Sequence, residues 1–163
     1  MISRKIVLAL SAAGALAGCR AEPASNLSQP PAPRTAPSGL QVVPLTIHSG
    51  ARTHQFMIEV ARTPDEQAQG LMFRERLGPD EGMIFPIAPP RPASFWMRNT
   101  LIPLDMIFIR EDGTIARIAA NTVPLSEETV TSGGELVAAV LELRGGRAAE
   151  LGISAGDRVS WPR

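Results

Sequence analysis

From residue 41 to the end of the chain the apolar runs are short, and glycine or proline cuts nearly all of them off. Residues 42–49 and 53–60 are rich in β-branched and apolar side chains and are separated by Gly50, the pattern of a hairpin. Thr63-Pro64-Asp65-Glu66 predicts a helix start, with a threonine cap, proline at the first position and glutamate three residues after the cap. Residues 83–87, 94–97, 105–110, 114–120 and 136–143 read as further strands, and 157–161 as the last. Residues 147–151 read as one short helix stopped by Gly152. Pro86, Pro89, Pro90 and Pro92 predict an irregular path between the strands on either side. Short strands with two brief helices argue against an alternating βαβ fold. They predict a β-rich α+β domain, a small barrel-like or strongly curved sheet of about six to seven strands.

The front of the chain has a different grammar. Arg4 and Lys5 precede an apolar run over residues 6–17, the length of a signal's hydrophobic region and too short to span a bilayer comfortably. Leu16-Ala17-Gly18-Cys19 then resembles the lipobox of bacterial lipoproteins. That resemblance implies cleavage before Cys19, lipid on its sulfur and acylation of the new amino group, enough chains together for stable anchoring. An ordinary secretory signal followed by an incidental cysteine is the alternative. Residues 20–40 carry Pro23, Pro30, Pro31, Pro33 and Pro37 with few large apolar groups, so they are expected to stay extended. The expected organisation is a signal over 1–18, a lipidated cysteine and tether over 19–40, and a single domain over 41–163. Arg20 is not the aspartate associated with inner-membrane retention, so the expected address is the outer membrane, facing the periplasm.

Several chemistries are excluded by composition. Cys19 is the sole cysteine, so a disulfide within the chain, a cysteine zinc site and a thiol redox pair cannot form. Removing residues 1–18 takes away Arg4 and Lys5 and no acid, leaving the mature chain slightly acidic, with no long-range attraction for nucleic acid. Lys5 is the only lysine, which excludes Schiff-base chemistry after cleavage. There is no Gly-x-Ser-x-Gly elbow, phosphate loop or dinucleotide fingerprint, and no cofactor is expected. His48 and His54, in the first hairpin, read as surface histidines that cannot make a zinc triad by themselves.

The densest signal is the run Ser94-Phe95-Trp96-Met97-Arg98-Asn99-Thr100-Leu101-Ile102-Pro103-Leu104-Asp105. With Gly70-Leu71-Met72-Phe73-Arg74, Gly82-Met83-Ile84-Phe85, Leu141-Glu142-Leu143 and Gly156-Asp157, it resembles the DUF192 family over about residues 56–160. Arg98 stands where lysine is common in that family. The resemblance implies that Arg74, Trp96, Met97, Arg98, Asn99, Thr100, Pro103, Asp105 and Glu142 occupy motif positions, and implies no activity.

Three functions compete for these residues. Arg74, Trp96, Arg98, Asn99, Thr100 and Asp105 together would offer a stacking surface and fixed hydrogen-bonding groups, suited to a small polar ligand or an envelope partner. The plain alternative is a core tryptophan followed by a loop pinned by its own side chains. Asp105 and Glu142 would make an acid/base pair for hydrolysing envelope glycans if they converge in a cleft. Otherwise Asp105 accepts local hydrogen bonds and Glu142 pairs with an arginine. Met72, Met83 and Met97 would bind Cu(I) if their thioethers converge, although each sits among apolar neighbours in the manner of core methionine. The leading expectation is a non-catalytic binding or accessory domain.

Overall fold

The computed structural model describes residues 34–163. The expected signal, Cys19 and the tether up to residue 33 lie outside the described residues. The chain forms β1 (Arg34–Thr35), β2 (Gln41–Ser49), β3 (Arg52–Val60), α1 (Pro64–Gln69), β4 (Glu81–Arg91), β5 (Ser94–Phe95) and β6 (Leu104–Ile109). It continues through β7 (Ile115–Thr122), β8 (Val130–Thr131), β9 (Val137–Arg144), α2 (Arg147–Leu151) and β10 (Arg158–Ser160). The β-rich expectation holds, with ten strands among the described residues where six to seven were expected. The extra ones include β1 and β8, of two residues each, and β1 falls inside the segment expected to be a tether.

Eight strands make one mixed sheet in the order β1-β2-β3-β4-β9-β6-β7, with β10 also on β2, and β5 pairs with β8 apart from it. The pairing is antiparallel except between β3 and β4, which α1 connects. The expected β2–β3 hairpin forms, with Val43 opposite Ile58 and Ile47 opposite His54. β10 meets the start of β7 at a single bridge, Thr114 to Arg158, so the pairing is not that of a closed barrel. Strand β4 runs through Pro86, Pro89 and Pro90, three of the four prolines expected to make this path irregular, and ends before Pro92. Pro89 and Pro90 fall in the register break between Pro86 and Arg91, where missing amide donors cost the ladder least.

The sheet separates two apolar cores. Side chains alternate between faces along a strand, and β6, buried at every position, shows the division. Ile107 and Ile109 join Leu45, Ile47, Phe56, Ile58, Leu141 and Leu143 on one face. Leu104, Met106 and Phe108 join Leu71, Met83, Phe85, Met97 and Val140 on the other. The second core is closed by α1, the loops that follow it and the β5–β8 pair.

The predicted capping box at α1 forms in full. Thr63 Oγ1 accepts from the Glu66 amide at 3.2 Å, and Glu66 Oε2 accepts from the Thr63 amide at 2.8 Å. The helix ends at Gly70, whose φ of 48° and ψ of −135° form a backbone conformation that a residue with a side chain rarely adopts. That turn sends residues 71–74 across the second face.

Candidate functional site

The two carboxylates expected to work as a pair stand on opposite faces. Asp105 lies opposite Leu143 and Met106 opposite Glu142 in the β6–β9 ladder, so alternation sends the two carboxyls into different cores. Asp105 is fully buried and saturated. Its Oδ1 accepts from the amides of Asn121 at 2.7 Å and Gly146 at 2.9 Å, and its Oδ2 accepts from Ala148 at 2.8 Å. Gly146 caps α2 without a side-chain acceptor of its own, and Asp105 supplies that acceptor from another strand. This carboxylate is a structural anchor, and the acid/base pair with Glu142 does not assemble.

Glu142 is in the contrary state. It is 4 % exposed. Neither an arginine nor any other donor among the described residues hydrogen-bonds its carboxyl, and burial alone pushes its pKa up to about 8. It lines a cavity of about 470 Å³ between α1, β4 and the β5–β8 pair. The walls are Leu71, Met72, Phe85, Ile87, Phe95 and Trp96, with Gln67, Gln69, Ser94, Thr100 and Thr129 as the uncharged polar groups. Phe85 and Phe95 meet edge to face, ring centroids 5.3 Å apart. Gln67 is held by two bonds from its amide, 2.9 Å to Pro86 O and 3.2 Å to Ala61 O. Arg91 lies on the exposed rim with no acidic partner among the described residues, so the cavity has one buried acid and one free cation.

Of the residues anticipated from sequence, Trp96, Thr100 and Glu142 line this cavity, and Arg74, Arg98, Asn99 and Asp105 do not. Trp96 is 49 % exposed and so is no core tryptophan. Arg98 lies over its ring, 5.4 Å from the centroid, and 3.7 Å from Glu127. Asn99 holds a left-handed turn with φ 57°, its carbonyl accepting from Phe73 N–H at 2.8 Å. Arg74 grips Glu59 through two 2.6 Å bonds, and Ser38 Oγ also donates to that carboxylate. The pairing of Arg74 is therefore structural, and Glu59 was not anticipated. Arg91, Phe85, Phe95 and Gln67 were also missed, since only tertiary pairing brings them to the cavity.

The three methionines divide between the second core and the cavity wall. Met83 and Met97 are buried in the second core, Met97 sulfur accepting from the Thr122 hydroxyl at 3.1 Å, and Met72 alone of the three lines the cavity. His48 is exposed and bonds Thr53 at 3.2 Å, whereas His54 is half-buried with its Nε2 enclosed and unpaired. Their cross-strand partners, Thr53 and Ile47, put them on opposite faces of the hairpin. His54 is thus not the surface residue expected.

No curated protein matches the chain. Among solved structures it is similar to a protein of unknown function from Novosphingobium aromaticivorans DSM 12444, 53 % identical with a TM-score of 0.76, covering 80 % of this chain and 93 % of that one. It is also similar to a protein from Sinorhizobium meliloti 1021 that carries the name of a candidate transcription regulator. That protein is 42 % identical with a TM-score of 0.72, and the match covers 75 % of this chain and 95 % of that one. Residues 45–161 match the model of DUF192, described as an uncharacterized ACR, and the chain belongs to that family.

Proposed function

We propose that the domain binds a small amphipathic ligand in the cavity at Glu142 and performs no chemistry on it. The observation that carries this reading is the Glu142 carboxyl, 4 % exposed and without a hydrogen-bond partner among the described residues, facing a cavity whose walls are aromatic and aliphatic side chains with a few uncharged polar groups. A buried polar group without a partner is costly, and such groups in a cavity mark ligand sites. The cavity suits a ligand with an apolar body against Phe85, Phe95 and Trp96 and a polar head at Glu142. Glycan hydrolysis ordinarily needs two carboxyls flanking the bond, and Glu142 is the one acid among the lining residues. The lipobox-like sequence at Cys19 supports holding this binding domain at the cell envelope, facing the periplasm from the outer membrane.

The test is a thermal-shift and calorimetric screen of the full chain against amphipathic amines, alcohols, amides and carboxylates. Glu142→Gln and Trp96→Ala are expected to weaken any ligand found by about tenfold or more. Arg98→Ala, which changes a residue outside the wall, is expected to leave affinity within about threefold. A ligand that accepts a hydrogen bond from the protonated acid loses affinity above about pH 8, and an amine gains it. Equal binding by wild type, Glu142→Gln and Trp96→Ala would sink the site.

A further inference from the structure

Five of the six large apolar side chains left exposed among the described residues fall on three loops: Phe73, Trp96, Leu101, Val123 and Leu125. Exposed apolar residues scattered singly are ordinary, and a cluster of them marks an interaction surface. These loops are joined through their backbones. Phe73 N–H donates to Asn99 O at 2.8 Å, Leu125 N–H to Thr100 O at 3.0 Å, and Met97 N–H to Ser126 O at 2.9 Å. Phe73 and Leu125 are held at φ 63° and 61°, a region that bulky side chains seldom occupy outside functional sites. The layer is continuous with the cavity, since Trp96 belongs to both.

The loop that follows β1 borders this face. Pro37 and Ser38 lie against Arg74, the neighbour of Phe73, in a shallow cleft, and Ser38 bonds the Glu59 carboxylate that Arg74 grips. Cys19 is fifteen residues before Arg34, a reach of at most about 50 Å when fully extended. A lipid on Cys19 would hold the domain within that reach of a bilayer. The charges on these loops are mixed, Arg74, Arg76 and Arg98 against Glu75, Glu127 and Glu128, so apolar insertion and not attraction to anionic headgroups is the driving term.

We infer that the loops carrying Phe73, Trp96, Leu101, Val123 and Leu125 insert into the interfacial layer of the bilayer that holds Cys19, so that the Glu142 cavity opens at the membrane surface. This rests on the tethered reading of Cys19, and the experiment separates the two. The full chain with Trp161→Phe, which leaves Trp96 as the only tryptophan, is coupled through its sole thiol to a maleimide lipid in phosphatidylcholine vesicles. The tether is then imposed whether or not cells acylate Cys19, and the mass of the chain recovered from bacterial membranes reports acylation separately. Trp96 emission is expected to fall about twofold or more when the acyl chains are brominated, and to change little when anionic lipid is added. The double variant Phe73→Ser, Leu125→Ser is expected to lose most of that quenching while keeping its circular dichroism and its melting temperature within a few degrees. Equal Trp96 emission in brominated and ordinary vesicles overturns the inference. So does a concentration-dependent dimer in solution that the double variant abolishes, because a second copy would then cover the face.

Discussion

Asp105 and Glu142 sit on adjacent strands, one register position apart, and both are buried. One receives three backbone amides and fastens the start of α2, and the other receives none and faces a cavity. The same functional group thus serves as scaffold on one face of the sheet and as candidate ligand partner on the other. What separates them is supply. The β9–α2 turn brings unsatisfied amides to Asp105, as helix starts do, whereas the turn after α1, β4 and β5 bring aromatic and aliphatic side chains to the cavity that Glu142 lines. Burial in itself therefore says little about function, and burial combined with hydrogen-bond accounting says much more.

The sharpest way to break this contrast is to remove Asp105. Asp105→Ala leaves three amides without their acceptor, and each unsatisfied buried donor costs about 1–3 kcal/mol, so a loss of roughly 5 kcal/mol is expected. Urea unfolding followed by circular dichroism reads this directly. A loss under about 1 kcal/mol would mean the corner is not the anchor its geometry implies.

Glu142 should behave in the opposite sense, and pH shows it. Its folded-state pKa of about 8 lies above the ordinary value of 4.5, so across that window the folded chain holds a proton that the unfolded chain has released. Wild type therefore loses stability relative to Glu142→Gln as pH rises from 4.5 to 8, by up to about 1.4 kcal/mol per pH unit. The total is on the order of 5 kcal/mol, and the difference is flat outside the window. Parallel stability curves for the two proteins across this range would contradict the assignment.

How much of this was legible beforehand follows from the range of the interactions. The β2–β3 hairpin and the capping box at Thr63 are local, and their residues announce them. Strands β1 and β8 have two residues each and exist through their partners, so no pattern in the chain marks them. The prolines of β4 predict an interruption, and only the pairing with β9 shows that a register break absorbs Pro89 and Pro90. At the site, Trp96 and Glu142 stood out as residue types in unusual company. Arg91, Phe85 and Phe95 did not, since strand pairing brings them there. Whether Asp105 and Glu142 share a face is a matter of register across two strands about 40 residues apart, which neither segment encodes alone.

The Arg74–Glu59 pair occupies the middle ground. It is bidentate, with the carboxylate buried and the guanidinium about a quarter exposed. Solvent screening at the arginine moderates the gain, so Arg74→Ala is expected to cost about 2 kcal/mol, largely by stranding the Glu59 charge. Glu59→Gln should cost less than Arg74→Ala, because the guanidinium it strands reaches solvent more than the Glu59 carboxylate does and the glutamine oxygen still accepts from it. The reverse order would show that Arg74 is free to serve a ligand, as its place in the sequence motif had implied.

The smallest effect tests whether the cavity depends on its frame. Thr63→Ala removes the cap of α1, for which about 1 kcal/mol is the usual cost, and α1 supplies Gln67, Ala68 and Gln69 to the cavity wall. The helix has only six residues, so fraying at its start reaches Gln67, whose amide otherwise ties the wall to Pro86 and Ala61. Ligand affinity in Thr63→Ala should fall by about threefold, while the pH-dependent stability difference that reports Glu142 persists. Loss of both together would make the protonation of Glu142 a property of the closed wall. Retention of both would place the ligand's contacts on β4, β5 and β9 alone, and leave α1 as cover for the second core.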